Sequence, residues 1–193
     1  MKKILIILLA GILLAACSDD GGNGKNNDQG SDGASTGDEN KAEEKEASKD
    51  KKVYQIGETA VITSDMYEFD YEVTVNDFEL TKEVDGTKIG DYISGAVEEA
   101  RFAVIDVSIK NISDEAYVPN EMFSANFAGS QDRGGDTMID QFFTEGDKEL
   151  GPGEELNGHL VYTTRMNYAD TFILKYEFTS DEETHFELPN PEG

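Results

Sequence analysis

The chain has 193 residues, with 41 Asp and Glu against 16 Lys and Arg, and a formal net charge of −25. That balance repels nucleic acid and anionic lipid and attracts cations and basic groups. Its single cysteine, Cys17, leaves no internal disulfide, so any folded part is held by its core alone.

Lys2 and Lys3 precede an apolar run from Ile4 to Leu14. Then come Leu14-Ala15-Ala16-Cys17 and, at once, Ser18-Asp19-Asp20. A charged start, a short apolar stretch and small residues before a cleavage point make a secretory signal. The run is too short to span a bilayer. Because the small residues end in Cys, the motif resembles the lipobox of bacterial lipoproteins. The resemblance implies a signal peptide over residues 1–16 and a diacylglyceryl group on the Cys17 sulfur. Cys17 is then the mature N-terminus, outside the cell membrane, on the extracellular or wall side. Two acyl chains meet the requirement for stable anchoring. With the lipid in place, no thiol remains for catalysis, redox sensing or a thiolate metal site.

Ser18 to Lys52 is rich in Gly, Asn, Asp, Ser, Glu and Lys and has no aromatic residue. Such a segment cannot bury enough surface to offset its ordering entropy. Residues 17–52 are therefore expected to be a lipidated N-terminus and disordered tether, with a mean reach on the order of 30 Å. Residues 53–193 read as one domain, expected to be monomeric, with 8 basic and 31 acidic residues and a net charge of −23.

Within the domain, apolar residues mostly alternate. Glu58 to Thr63 is a short strand. Glu72 to Leu80 turns Val73, Val75 and Phe78 inward, with a bulge near Asp77. Tyr67, Phe69 and Tyr71 alternate as a ladder, read as core packing in preference to a platform for sugars or wall polymer. Ile89, Tyr92, Ile93, Ala96, Val97 and Ala100 suggest a helical face, weakened by Gly95. Phe102 to Lys110 puts Ala103, Ile105, Val107 and Ile109 inward, and its other face is only partly polar. Met122 to Phe127 is a short strand, and Met138, Ile139, Phe142 and Phe143 suggest one helical turn. Leu156, Gly158, Leu160 and Tyr162 share a face, as do Phe172, Leu174, Tyr176 and Phe178, with Ile173, Lys175 and Glu177 outward. Thr184 to Leu188 closes the series. Asn111 suits a left-handed turn, and Pro152-Gly153 a type II turn. Period-two segments separated by turn residues predict an all-β antiparallel sandwich, with one or two short helical insertions.

Tyr54-x-Ile56-Gly57-Glu58, the run from Phe102 into Lys110-Asn111-Ile112-Ser113-Asp114, Leu150-x-Pro152-Gly153-Glu154 and Gly158-x-Leu160-x-Tyr162 occur in that order. The order resembles the telokin-like domains of unknown function on bacterial lipoproteins. These are akin to the immunoprotective extracellular antigen. The resemblance implies an immunoglobulin-like β-sandwich and supplies no catalytic residues.

The chemical inventory is sparse. His159 and His185 lie on separate strands, and neither is bracketed by other ligands. No nucleophile elbow, zinc-helix motif or phosphate loop is present. The chain is expected to be a noncatalytic recognition or structural protein of the envelope, with an envelope protein or wall polymer as partner and no cofactor. The alternative is cation binding. Asp132, Asp136 and Asp140 surround Arg133-Gly134-Gly135, and oxygen ligands on a flexible loop suit Ca²⁺. The spacing is not that of an EF-hand, and Arg133 opposes a cation. Asp181-Glu182-Glu183 reads as an acidic hairpin turn.

Overall fold

The computed structural model describes residues 52–122, 124–178 and 183–193, all within the unit Glu43–Gly193. The signal peptide, the lipobox, Cys17 and the tether up to residue 51 lie outside the described residues, as do Asp181 and Glu182. No described helix is long and apolar enough to cross a membrane.

The strands are β1 (Val53–Gln55), β2 (Thr59–Ser64), β3 (Phe69–Thr81), β4 (Glu83–Val84), β5 (Thr87–Lys88) and β6 (Ala100–Asn111). They continue with β7 (Ala125–Gly129), β8 (Asp136–Thr137), β9 (Glu155–Arg165), β10 (Thr171–Tyr176) and β11 (Thr184–Pro189). One sheet runs β2-β3-β6-β9 and the other β1-β11-β10-β7-β8, while β4 and β5 pair as a separate hairpin. This is an all-β sandwich. Its described pairings are antiparallel except that β1 runs parallel to β11, a departure from the fully antiparallel expectation. The helical elements are α1 (Ile89–Tyr92), α2 (Pro119–Met122) and 3-10 turns at Asp140–Phe142 and Thr144–Asp147.

The core follows from the alternation. Ala103, Ile105, Val107 and Ile109 of β6 are buried, as are Val73, Val75 and Phe78 of β3 and Leu160 and Tyr162 of β9. They meet Phe127, Phe172, Leu174, Tyr176 and Phe186 of the other sheet in one cluster. Each such side chain gains about 1.5–3 kcal/mol on full burial. The register of β3 against β6 shifts between Val75 and Asp77. The extra residue keeps Phe78 facing inward; without it, strict alternation would send Phe78 to the opposite face.

The other face of β6 carries a second cluster. Phe102, Val104 and Val161 are covered by Val84, Ile89 and Phe142, with Ile93, Ala96 and Ile139 packed against them. Here the expected helical face is corrected. α1 is a single turn, closed by the Ile93 N–H donating to Ile89 O at 2.8 Å. Gly95 then takes φ +75, and Ala100 already belongs to β6. Covering Phe102 and Val104 with a loop overrides helical periodicity. The turn expected near Phe142 is present as 3-10 helix.

Gly153 has φ +78 and the Glu154 N–H donates to Gly151 O, as a type II turn requires. Asn111 departs from expectation. It ends β6 fully buried, and its side-chain N–H groups donate to Glu115 O (2.7 Å) and Leu150 O (2.9 Å). Its Oδ1 accepts from the Ser113 N–H and hydroxyl. It therefore clamps two loops, where the sequence suggested only a tolerant turn residue.

Candidate functional site

At one end of the sandwich, three segments far apart in sequence enclose a cleft of about 620 Å³. They are the β2–β3 turn with Met66 and Tyr67, α2 with Glu121 and Met122, and the residues after β10, Glu177 and Phe178. The turn is closed by the Glu68 N–H donating to Ser64 O at 2.8 Å, with Glu68 at φ 57. The Tyr67 hydroxyl donates to Glu121 O at 3.2 Å, tying the turn to α2. Beneath it, Phe69 stacks on Tyr117 at 4.3 Å between centroids, and Tyr71 meets Tyr176 edge-on. The alternating Tyr67, Phe69 and Tyr71 thus grade from rim to core, as their core-packing reading implies, except that Tyr67 is 43% exposed.

Glu177 is the chemical centre of the cleft. Tyr176 and Thr184 leave the sheet interior fully paired, and Glu177 turns the chain with φ 51. For a residue with a side chain, this conformation is sparsely populated and costs of order 1–3 kcal/mol. It corrects the outward strand position assigned to Glu177, and it takes Phe178 off the inward face. The Tyr71 hydroxyl donates to the Glu177 carboxylate at 2.8 Å. The fully buried Ser64 hydroxyl lies beside it without completing a geometrically sound hydrogen bond. Desolvation, reinforced by nearby Asp65, holds the Glu177 carboxyl above its ordinary pKa, although Tyr71 and Ser64 pull the other way. Among the described residues, no ion pair joins Glu177 to a basic side chain. Met66, 79% exposed, and Met122 supply apolar walls.

The aspartate loop is built differently from a metal site. Asp132 Oδ2 accepts from the Gly129 N–H (3.0 Å) and the Tyr168 hydroxyl (2.9 Å). Lys175, only 5% exposed, donates through Nζ to Asp132 O (3.1 Å) and Gly134 O (3.0 Å). Its ammonium also lies 5.4 Å from the centroid of the Phe178 ring. The loop carbonyls therefore already hold a cation, the lysine's own. Asp136 and Asp140 are exposed. Among the described residues, no three acidic, His or Cys side chains gather in a way that could hold a metal ion. The structure does not bring Asp132, Asp136 and Asp140 into one cage.

The histidines are apart. His159 Nε2 lies 3.3 Å from Asp85 on the β4–β5 turn, and His185 pairs with Glu183. Sequence reasoning missed the cleft because its three segments are far apart in the chain, Tyr67 and Glu121 alone being 54 residues apart. The available signals were the exposed Met66-Tyr67 pair and the break of alternation at Glu177-Phe178.

The domain of unknown function DUF4352 matches residues 64–184, and the chain belongs to that family. Solved structures of similar shape include a candidate lipoprotein, ycdA, from Bacillus subtilis. It is 13% identical with a TM-score of 0.46, over 67% of this chain and 38% of that one. This chain thus spans well under half the length of that protein. Another is an uncharacterized β-sandwich protein of Clostridium difficile, 17% identical with a TM-score of 0.42, over 71% and 95% of the two chains. A third is the secreted protein MPT63 of Mycobacterium tuberculosis, 12% identical with a TM-score of 0.42, over 71% and 95%. No curated protein matches the sequence.

Proposed function

We propose that the chain is a lipid-anchored lipoprotein of the bacterial cell envelope, and that its sandwich is a noncatalytic recognition domain binding through the Glu177 cleft. Leu14, Ala15, Ala16 and Cys17 support the anchor. The observation that carries the recognition reading is Glu177 itself. A half-buried carboxylate, held in a strained backbone conformation, opens into a concavity walled by methionine and aromatic side chains. Polar groups set among the apolar side chains of Met66, Tyr67, Met122 and Phe178 in one concavity fit the pattern of a binding site. The likeness to telokin-like, immunoglobulin-like domains is part of the same proposal. The partner is another envelope component, a protein or wall polymer, reached from the membrane on a tether with a mean span of about 30 Å. Cation binding at Asp132 to Asp140 is the weaker reading, because Lys175 already occupies the loop carbonyls.

The anchor is tested by labelling cells with a fatty acid analogue. The wild-type chain takes up label and partitions into detergent. Cys17→Ala takes up none, and either leaves the detergent phase or retains its signal peptide. A wild-type chain without label refutes the lipoprotein assignment.

A further inference from the structure

The walls of the cleft define its ligand, an inference that rests on the recognition reading above. Three carboxylates from three separate segments line it, Asp65, Glu121 and Glu177, and among the described residues no lining side chain is basic. They are too dispersed to form a metal cage, so the complementary positive charge is carried on an extended body. Ser64 Oγ, fully buried and completing no hydrogen bond of sound geometry, lines the same cleft beside Glu177, and with its hydrogen turned toward that carboxylate its lone pairs stay open. It offers an acceptor to a donor that arrives from outside. Met66, Tyr67, Met122 and Phe178 supply the apolar complement. Flexible methionines adapt to a variable aliphatic stem, and an aromatic face attracts a cation. Phe178 already has the Lys175 ammonium 5.4 Å from its ring centroid.

We propose that the cleft binds a basic peptide segment of a partner protein, one Lys or Arg side chain entering to pair with Glu177 while Asp65 and Glu121 receive its neighbours. The entering stem packs on Met66 and Met122. Its charged head donates to the Glu177 carboxylate and to Ser64 Oγ. Before the peptide arrives, burial disfavours the charged form of Glu177, and an incoming ammonium removes that penalty. The net charge of −23 on residues 53–193 speeds the encounter over longer range.

The test uses the full-length chain in detergent micelles and a fluorescent peptide of alternating Lys and Leu. Controls are the same peptide with each Lys replaced by Glu, and diaminohexane. The expected result is saturable binding of the Lys peptide, persisting at about 0.15 M salt, and none of the Glu peptide. Glu177→Gln should weaken binding by about tenfold or more, as loss of a buried charged partner does. Asp136→Asn, which removes the same charge from a distant exposed site, should change it by less than about twofold. Tyr67→Ala, at an exposed rim position, should also weaken it, and circular dichroism checks that each variant is folded. Affinity of the wild type should rise from pH 4 to pH 7 more steeply than that of Glu177→Gln. Groups facing Glu177 are Tyr71, Ser64 and Asp65, with Glu121 lining the same cleft, and the slope left in the variant is the background from the acidic surface as a whole. Equal weakening by Glu177→Gln and Asp136→Asn would reduce the effect to general charge attraction and overturn the proposal. Equally tight binding of diaminohexane would overturn the peptide assignment. Absence of binding by a chain that does carry the lipid would sink the cleft alone, leaving the anchor intact.

Discussion

Lys175→Met isolates the internal cation of the aspartate loop. Methionine preserves most of the aliphatic stem and removes the ammonium that donates to Asp132 O and Gly134 O at 3.1 and 3.0 Å. Hydrogen bonds from a charged donor contribute about 1.5–3 kcal/mol each. Two such bonds set an upper bound of about 3–6 kcal/mol. Two effects offset part of this. The variant no longer desolvates an ammonium, and residues 130–137 are exposed, so water can reach the freed carbonyls. A net loss of about 2 kcal/mol is expected, or about 5–8 °C in Tm for a domain of this size. Urea denaturation followed by circular dichroism measures the loss. Hydrogen exchange should localise the loosening to the amides between Gly129 and Thr137. A loss below about 0.5 kcal/mol, typical of surface positions, would refute the role given to Lys175. So would a saturable Ca²⁺ shift in the wild type, beyond that of NaCl at matched ionic strength and abolished by Asp136→Asn.

Ile105→Ala should cost about 2–5 kcal/mol, because Ile105 is fully buried between the sheets; chemical denaturation reads this directly. Gly158→Ala should cost about 1–3 kcal/mol, because the new methyl would sit 2.7 Å from the Phe143 ring. That loss should shrink in a Phe143→Leu background, measured as a double-mutant cycle. Glu177 has a raised pKa in the fold, so the folded chain holds this proton more tightly than the unfolded one. Its favourable contribution is complete below the unfolded value of about 4.3 and is lost as pH rises through the folded pKa. Glu177→Gln should therefore stabilise the fold at pH 7 and lose that advantage at pH 4, in thermal melts at both pH values.

Much of the sandwich was legible because it depends on local alternation. β6 repeats apolar residues at every second position, and the bulge at Asp77 was visible as the offset between Val75 and Phe78. Pro152-Gly153 declared its turn through glycine's freedom at positive φ. The Asp85-Gly86 turn of the β4–β5 hairpin has an equally clear signature, with φ 50 and φ 78 at the two positions. The residues Ile89 to Ala100 misled because helical spacing and a loop laid over Phe102 and Val104 demand the same apolar positions. Period two put Lys175 away from the core correctly. Nothing local told that residues 130–135 fold back and bury it. The cleft was illegible for the same reason, since Ser64, Glu121 and Glu177 meet only through long-range strand pairing.

The strain at Glu177 and the aromatic core beside it are connected. A left-handed glutamate persists only where its surroundings over-determine it. Here Tyr176, fully buried, fixes the chain immediately before it, and β11 resumes pairing at Thr184. Tyr71, also fully buried, reaches the carboxylate from the opposite sheet. Both sheets therefore hold one acid in place, and the edge-on contact of Tyr71 with Tyr176 couples the two holds. A domain without disulfides places two of its largest buried side chains, Tyr71 and Tyr176, next to a strained and partly desolvated carboxylate. Stability alone gives no reason to retain a charged residue there, since glycine would adopt the same backbone without strain and without a desolvated carboxylate. A destabilising group kept rigid at the mouth of the cleft is what the proposed recognition role requires.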